Sequence, residues 1–206
     1  MKLYITSASP YSRMARIMLI EKRLERRVEV NPAQTRVDGS PFYAINPSGR
    51  VPYLVCEDGI GLEESALICE YFDTLDGAPL LARPAPLQAL TVARLEARAR
   101  SLLDGLAVWF RETARPAGEG SPTVIRHEQA RSDRLLDWWE ENILDPWMQG
   151  PLNLAQLTLG CALGFEPRLP GWNWRKGRPS LAHWYERVAS RPSFVATVPP
   201  PFVSAH

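Results

Sequence analysis

The chain has 206 residues, of which 45% are hydrophobic and 23% are charged, and its 24 basic and 23 acidic side chains nearly cancel. This balance lacks the basic surplus typical of nucleic-acid-binding proteins, so we expect no nucleic-acid partner. No apolar run reaches the roughly 18 residues that a membrane helix needs, and residues 1–11 lack the apolar core of a secretory signal. Three scattered cysteines, Cys56, Cys69 and Cys161, fit a reducing compartment. We therefore expect a cytoplasmic protein with no membrane partner.

The first 77 residues alternate strand and helix patterns. Four short stretches have the composition of strands: 2–6, 28–30, 51–55 and 60–63. Two stretches carry apolar residues at helical spacing: 12–22 and 65–75. The sequence Glu57-Asp58-Gly59 is a tight-turn signal and predicts that the last two strands form a β-hairpin. This order predicts a small α/β domain over residues 1–77.

Dense prolines predict a linker over residues 78–86, and only helical patterns follow it. The predicted helices are 87–113, 123–149, 153–163 and 180–190. We expect residues 87–206 to form an all-α domain with a proline-rich tail from residue 199. Asn153, with Gln156 three residues later, fits a capping box at the start of a buried helix.

The sequence Ser9-Pro10-Tyr11-Ser12 lies between the first strand and the first helix. Its spacing is that of a Cys-Pro-x-Cys redox turn with serine at both cysteine positions. Because a helix N-terminus stabilises an anion, the Ser9 hydroxyl is suited to donate a hydrogen bond to a thiolate that a ligand brings. The simpler interpretation is that Ser9 only caps the helix before a proline at its first position. The tetrapeptide alone leaves both interpretations open.

Two further dipeptides admit a structural and a functional interpretation. Val51-Pro52 fits an ordinary proline at the start of a strand, or a cis-proline that frees the Val51 backbone to pair with an extended ligand. Glu64-Ser65 fits a simple helix start. It also suits an α-amino acid group, with Ser65 at the carboxylate and Glu64 at the ammonium.

In order and spacing these motifs resemble the cytosolic glutathione transferase family, and the resemblance covers nearly the whole chain. The matching segments are residues 9–13, 46–54 and 64–71, the cap at Asn153, and the close at 184–194. The resemblance implies a thioredoxin-like N-terminal α/β domain plus an all-α C-terminal helical bundle. It also implies a homodimer, with reduced glutathione as cosubstrate and no metal. The family usually has Asp where this chain has Gln156.

The resemblance also assigns roles to individual residues. It implies a glutathione site formed by Ser9, Arg50, Val51, Pro52, Glu64 and Ser65. Ser9 would be the catalytic hydroxyl of a bacterial serine-type member, with Ser12 ranked after it. The expected electrophile site contains Tyr11, Ser12, Leu106 and Trp109. For each of these four residues, packing in the core is the simpler alternative.

The implied activity is conjugation of the glutathione thiolate to small hydrophobic electrophiles, as in detoxification. Two alternatives stay open at this point. One is a scaffold or binding protein that has lost turnover, and the other is a glutathione-dependent lyase, isomerase or peroxidase. The three histidines, His127, His183 and His206, lack the spacing of metal ligands.

Overall fold

The computed structural model describes residues 1–82 and 84–202 and divides the chain into two compact units. The N-terminal unit contains Met1–Leu81 and Pro192–Pro199, and the helical unit contains the remaining described residues. Sequence analysis had assigned Pro192–Pro199 to the helical domain. These residues belong with the N-terminal unit because the buried Arg13 guanidinium donates hydrogen bonds to the Phe194 carbonyl (3.1 Å) and the Thr197 hydroxyl (3.4 Å).

The N-terminal unit is a thioredoxin-like α/β structure, as the resemblance implied. Its strands are β1 (Lys2–Ile5), β2 (Glu29–Pro32), β3 (Tyr53–Val55) and β4 (Gly61–Glu63). They form one sheet in the order β2-β1-β3-β4, in which β1 is parallel to β2 and antiparallel to β3, and β3 is antiparallel to β4. Its first three helices are α1 (Pro10–Glu21), α2 (Phe42–Ile45) and α3 (Ser65–Thr74).

The core of this unit lies between the sheet and the pair α1 and α3, which contact each other. Apolar residues at helical spacing form the buried faces of the two helices. The large apolar side chains there with no exposed surface include Leu3, Met14, Ile17, Met18, Leu54, Ile68 and Phe72. Burial of each such side chain contributes about 1.5–3 kcal/mol, so the core fixes the positions of both helix starts.

The helical unit contains only helices and loops among its described residues. Its helices are α4 (Pro86–Thr113), α5 (Pro122–Asn142), α6 (Pro146–Gln149), α7 (Leu154–Leu163), a short 3-10 helix (Glu166–Arg168) and α8 (Pro179–Ala189), and α9 (Pro192–Val195) follows in the N-terminal unit. Every residue of α7 from Ala155 to Leu163 is buried. A helix that is apolar on all sides belongs in a core, and α7 packs against α4. Within the described residues, no helix is both long and apolar enough to cross a membrane.

One predicted helix, over residues 123–149, is wrong in its last part, after residue 142. Helix α5 ends at Asn142, and the short α6 begins at Pro146 after an N-cap in which Asp145 accepts a hydrogen bond from the Trp147 amide (2.9 Å). Proline has no amide hydrogen, and its ring clashes with the carbonyl four residues earlier, which here is that of Asn142. Helix α5 therefore ends at Asn142, the residue whose carbonyl the Pro146 ring would meet if the helix continued.

The capping box that starts α7 is confirmed in one half only. The Asn153 side chain accepts a hydrogen bond from the Gln156 amide (3.0 Å), as predicted. The Gln156 side chain instead turns its amide group to the preceding loop, where it donates to the carbonyls of Trp147 (2.7 Å), Gly150 (3.1 Å) and Pro151 (3.0 Å). These bonds require an amide donor, which an aspartate side chain cannot supply.

The start of the predicted linker is fixed to the N-terminal unit by Lys22. This lysine is 7% exposed, and its ammonium donates to the Asp73 carbonyl (3.1 Å), the Asp76 carboxylate (2.6 Å) and the Ala78 carbonyl (2.7 Å). The buried Asp73 carboxylate accepts from the amides of Leu80 (2.7 Å) and Leu81 (3.2 Å). Buried charges need such partners, so the chain stays with this unit as far as Leu81.

Candidate functional site

One edge of the sheet brings together the three motifs of the N-terminal unit. Tyr4 near the end of β1 pairs with Tyr53 at the start of β3, and Tyr53 pairs with Glu63 at the end of β4. The segments that extend beyond this row are therefore neighbours: Ser9 follows β1, Val51-Pro52 precedes β3, and Glu64-Ser65 follows β4. Residues far apart in sequence share this edge because β3 runs against β1 and β4 runs against β3.

Ser9 is the N-cap of α1 and is half-buried. Its backbone is extended (φ −74°, ψ 123°), and its hydroxyl oxygen accepts a hydrogen bond from the Ser12 amide (3.1 Å). A hydroxyl carries one donor in addition to two acceptor lone pairs. Capping and donation to a ligand are thus compatible roles of the same oxygen.

The loop before β3 is held in shape by Asn46, which is 2% exposed. The Asn46 side chain donates to the Arg50 carbonyl (3.0 Å) and accepts from the Ser48 amide (3.1 Å). Gly49 has φ +65°, and a Cβ there would lie 2.7 Å from the Tyr43 ring, so a larger residue would be both strained and crowded. The loop leads into the Val51–Pro52 peptide bond, which is cis, as one of the two sequence interpretations had it.

The loop is also joined to the end of β4 by a contact that sequence analysis missed. The Ser48 hydroxyl donates to the Glu63 carboxylate (2.6 Å), and the Arg50 amide donates back to the Ser48 hydroxyl (3.2 Å). Ser48 and Glu63 are 15 residues apart, so no local pattern links them. The pairing of Tyr53 with Glu63 is the feature that brings them close, and it could have been inferred from the predicted hairpin.

The start of α3 combines an exposed carboxylate with a buried hydroxyl. Glu64 is the N-cap and adopts φ +80° and ψ 119°, which residues other than glycine rarely adopt. Ser65 follows as the first helical residue and is 1% exposed. A non-glycine residue at positive φ costs about 1–3 kcal/mol and is typical of functional sites.

Comparison with known proteins identifies the fold family. Residues 8–75 match the family model of the glutathione S-transferase N-terminal domain, and residues 122–187 match that of the C-terminal domain. The GST-like protein YibF of Escherichia coli K12, itself uncharacterized, is 34% identical over 97% of this chain and 99% of its own length. The chain belongs to the glutathione S-transferase family.

Other family members show the same relation along nearly the whole chain. Glutathione S-transferase 2 of Saccharomyces cerevisiae is 35% identical over 94% of this chain and 87% of its own. The crystal structure of a glutathione transferase family member from Pseudomonas fluorescens superposes with a TM-score of 0.85 at 28% identity, covering 97% of this chain and 98% of that one. That crystal structure holds bound glutathione.

Ser9 and Ser12, the two serines ranked for the thiolate of a glutathione S-transferase, differ in burial. Ser12 has no exposed surface, and its hydroxyl oxygen is buried without a hydrogen-bond partner among the described residues. Ser9 is half-buried and lies at the very start of α1. Ser9 is therefore the more exposed of the two serines, and the role of either at a thiolate stays a prediction.

The other predicted electrophile contacts lie in two different units, and each is described within its own. Tyr11 is half-buried on α1 in the N-terminal unit. In the helical unit, Leu106 has no exposed surface, and Trp109 is 7% exposed and contacts Trp172 edge-on at 6.2 Å between ring centroids. In the helical unit, Leu106 and Trp109 are thus core residues, and a contact with an electrophile stays a prediction for both.

Exposed charged side chains lie on both the loop before β3 and the end of β4. Arg50 and Glu64 are both exposed, one before β3 and one after β4. On α1, burial and the neighbouring charge of Arg13 lower the pKa of the Arg16 guanidinium. Over residues 1–82 and 84–202, no three His, Cys, Asp or Glu side chains group closely enough to hold a metal ion.

Proposed function

We propose that this chain is a serine-type glutathione transferase, in which Ser9 stabilises the thiolate of bound glutathione. The observation that carries the proposal is the row Tyr4–Tyr53–Glu63, from which all three motifs extend at one edge of the sheet. Two helices, α1 and α3, also begin at this edge. Their N-termini each favour negative charge, and glutathione brings both a thiolate and carboxylates.

The thiolate requires only a modest stabilisation. A free thiol has a pKa of about 8.5, and lowering it by about two units corresponds to about 3 kcal/mol. A hydrogen bond to a charged group contributes about 1.5–3 kcal/mol, and a helix N-terminus adds about 0.3–1 kcal/mol. The Ser9 hydroxyl together with the start of α1 is therefore sufficient.

The remaining motifs suit the peptide part of glutathione. We assign the γ-glutamyl carboxylate to Ser65 at the start of α3 and the γ-glutamyl ammonium to the exposed Glu64. The Val51 backbone next to Pro52 would pair with the cysteinyl residue. Arg50, which is exposed on the loop before β3, would meet the glycine carboxylate.

The proposed reaction forms one bond and breaks one bond at a small hydrophobic electrophile. With a chlorodinitrobenzene as the probe, the glutathione thiol loses its proton to solvent, and the sulfur attacks the ring carbon. The C–S bond forms, and chloride leaves with the electron pair of the C–Cl bond. The protein contributes the ionised sulfur and the proximity of the two reactants.

Isothermal titration with reduced glutathione tests the site, and Ser65→Ala tests its assignment. We expect saturable binding near one per chain, weakened tenfold or more in Ser65→Ala, because a hydrogen bond to a carboxylate is lost. The matched control is Ser132→Ala, which also removes a hydroxyl from a buried helical serine, here on α5. Equal affinity in the parent and Ser65→Ala would remove Ser65 from the site.

The same titration separates the transferase from a non-catalytic scaffold. If the chain does not bind reduced glutathione at millimolar concentration, it has no working glutathione site. The scaffold interpretation then replaces the transferase interpretation. Binding without conjugation of the chlorodinitrobenzene would instead favour another glutathione-dependent reaction.

The assembly and location of the enzyme are part of the proposal. We expect a homodimer, and exposed apolar side chains such as Ile60 (59%) and Leu90 (81%) are consistent with an interface. Light scattering of the purified protein would test this state. We expect a cytoplasmic location, which is supported by three free buried cysteines.

A further inference from the structure

The ring of Phe202 packs against Phe110 and Arg168 in an aromatic cluster of the helical unit. The Phe110 ring contacts Phe165 and Phe202 edge-on, with centroid distances of 5.5 Å and 5.6 Å. The Arg168 guanidinium lies 4.6 Å from the Phe110 centroid and 5.5 Å from that of Phe202. We call Phe110, Phe165 and Arg168 the ring slot, and Phe202 fills it.

The ring slot also binds the backbone beside Phe202. The Arg168 guanidinium donates to the carbonyls of Pro200 (3.3 Å) and Pro201 (3.0 Å), and the Phe202 amide donates to the Pro167 carbonyl (3.0 Å). The occupant is thus an aromatic ring with acceptor oxygens next to it. This combination defines the chemistry that the slot recognises.

Arg168 retains binding capacity that its present occupant does not use. Its Nε atom is buried and has no hydrogen-bond partner among the described residues. A guanidinium has five donor hydrogens, and a carboxylate accepts two of them in parallel. Such charge-assisted bonds are about twice as strong as bonds to neutral carbonyls. A carboxylate therefore suits Arg168 better than the two peptide carbonyls do.

The present occupant lies outside the regular secondary structure. Phe202 is half-buried and belongs to no helix or strand. Pro199, Pro200 and Pro201 precede it, and proline has no amide hydrogen with which to anchor the backbone. Partly exposed segments outside helices and strands are among those that open at low free-energy cost. A ligand of matching chemistry can therefore compete with Phe202.

We propose that the ring slot is a binding site for small aryl carboxylates and that Phe202 is its tethered internal occupant. A tethered ring competes at an effective concentration on the order of millimolar, so it masks the site from weak ligands. The proposal does not depend on glutathione binding, because every group in it belongs to the helical unit.

Fluorine NMR titration with para-fluorobenzoate, in the absence of glutathione, tests the proposal. We expect Phe202→Ala to bind the probe at least tenfold more tightly than the parent, which corresponds to a parent slot open about one-tenth of the time. The matched control is Val198→Ala, which removes an exposed apolar side chain (57%) from the preceding stretch of chain. This control should bind like the parent. Equal affinity of the parent and Phe202→Ala would overturn the proposal.

A second variant tests the part of Arg168. Adding Arg168→Met to Phe202→Ala should weaken binding of para-fluorobenzoate at least tenfold, and fluorobenzene, which lacks the carboxylate, should bind weakly to both variants. If the double variant binds para-fluorobenzoate as tightly as Phe202→Ala, the site is not the ring slot.

The parent protein provides an independent readout that needs no substitution. The Phe202 amide is bonded to the Pro167 carbonyl, so displacement of the ring should speed hydrogen exchange at that amide. We expect hydrogen exchange at the Phe202 amide to become faster as para-fluorobenzoate is added, in proportion to the fraction of the protein that has bound the probe. Exchange that does not change on binding would show that the probe and Phe202 occupy different places.

Discussion

Two helices of this protein begin with the same Ser-Pro sequence, and the structure gives the two starts nearly the same local geometry. Ser9 caps α1 with φ −74° and ψ 123°, and its hydroxyl accepts from Ser12 at 3.1 Å. Ser121 caps α5 with φ −85° and ψ 108°, and its hydroxyl accepts from Val124 at 3.3 Å. The surroundings of the two serines differ. Only Ser9 follows a strand, β1, that contributes to the row Tyr4–Tyr53–Glu63, and the three motifs extend from that row.

A helix-capping serine therefore becomes a candidate catalytic residue because of the segments that lie near it, not because of its own geometry. Both hydroxyls keep one donor hydrogen after capping, and both lie at a positive helix end. We proposed a catalytic role for Ser9 because the segments at Val51 and Glu64 extend beyond the same row of paired strand residues. Ser121 is therefore the internal control for every experiment on Ser9.

The largest expected effect is on catalysis. Ser9→Ala should raise the pKa of the bound glutathione thiol by about two units and lower the conjugation rate about 25-fold at pH 7, because the ionised fraction of the thiol falls from about three-quarters to about 3%. Ser121→Ala should leave both quantities at the parent values. Titration of the thiolate absorbance and the rate with a chlorodinitrobenzene measure them. An unchanged thiol pKa in Ser9→Ala would show that Ser9, like Ser121, only caps its helix and does not stabilise the thiolate.

A buried side-chain amide should contribute more to stability than an exposed one. Gln156→Leu should lower the free energy of unfolding by about 2 kcal/mol, because carbonyls that Gln156 now satisfies lose their donor. Gln149→Leu is the control, since Gln149 is exposed and donates to a single carbonyl, that of Ile143 (2.6 Å). Chemical denaturation of both variants measures the difference, and equal losses would refute this account of α7.

The two Ser-Pro caps should contribute equally to stability. Ser9→Ala and Ser121→Ala should each lower the free energy of unfolding by about 1 kcal/mol, the usual effect of losing a side-chain N-cap. Denaturant titration without glutathione provides the comparison. A much larger loss for Ser9→Ala would mean that its catalytic defect reflects damage to α1 rather than a lost donor.

The smallest effect concerns the third helix start, where Glu64 caps α3 at φ +80°. Glu64→Gly should stabilise the protein by about 1 kcal/mol, because glycine adopts positive φ without strain. It should also weaken glutathione binding. Arg23→Gly, which relieves φ +53° at the end of α1, should stabilise without changing affinity. Calorimetry measures both quantities, and unchanged affinity in Glu64→Gly would exclude Glu64 from the site.

Sequence analysis predicted what local patterns and a family resemblance encode. The α/β order, the cap at Asn153 and the cis bond at Val51–Pro52 are all confirmed. The break at Pro146 was also visible locally, but the apolar pattern on both sides of it suggested one continuous helix. The bond of Ser48 to Glu63 joins residues distant in sequence. Only the strand register brings them together.

The packing of the C-terminal segments illustrates the same limit. A run of prolines predicts an extended tail but carries no sign that Phe202 lies against Phe110. Likewise, nothing near residue 192 indicates that Pro192–Pro199 contributes to the N-terminal unit. Both arrangements depend on single side chains, Phe202 and Arg13, whose partners lie many residues away in the chain.

The partners of Arg13 have a consequence for how the protein is made. Phe194 and Thr197 leave the ribosome 181 and 184 residues after the arginine that they satisfy. At about 5–20 residues per second, that interval is about 10–40 s, during which a guanidinium destined for burial has neither partner. The thioredoxin-like unit thus becomes complete only after residues 82–191 of the helical unit, which lie between Arg13 and its partners, have been synthesised.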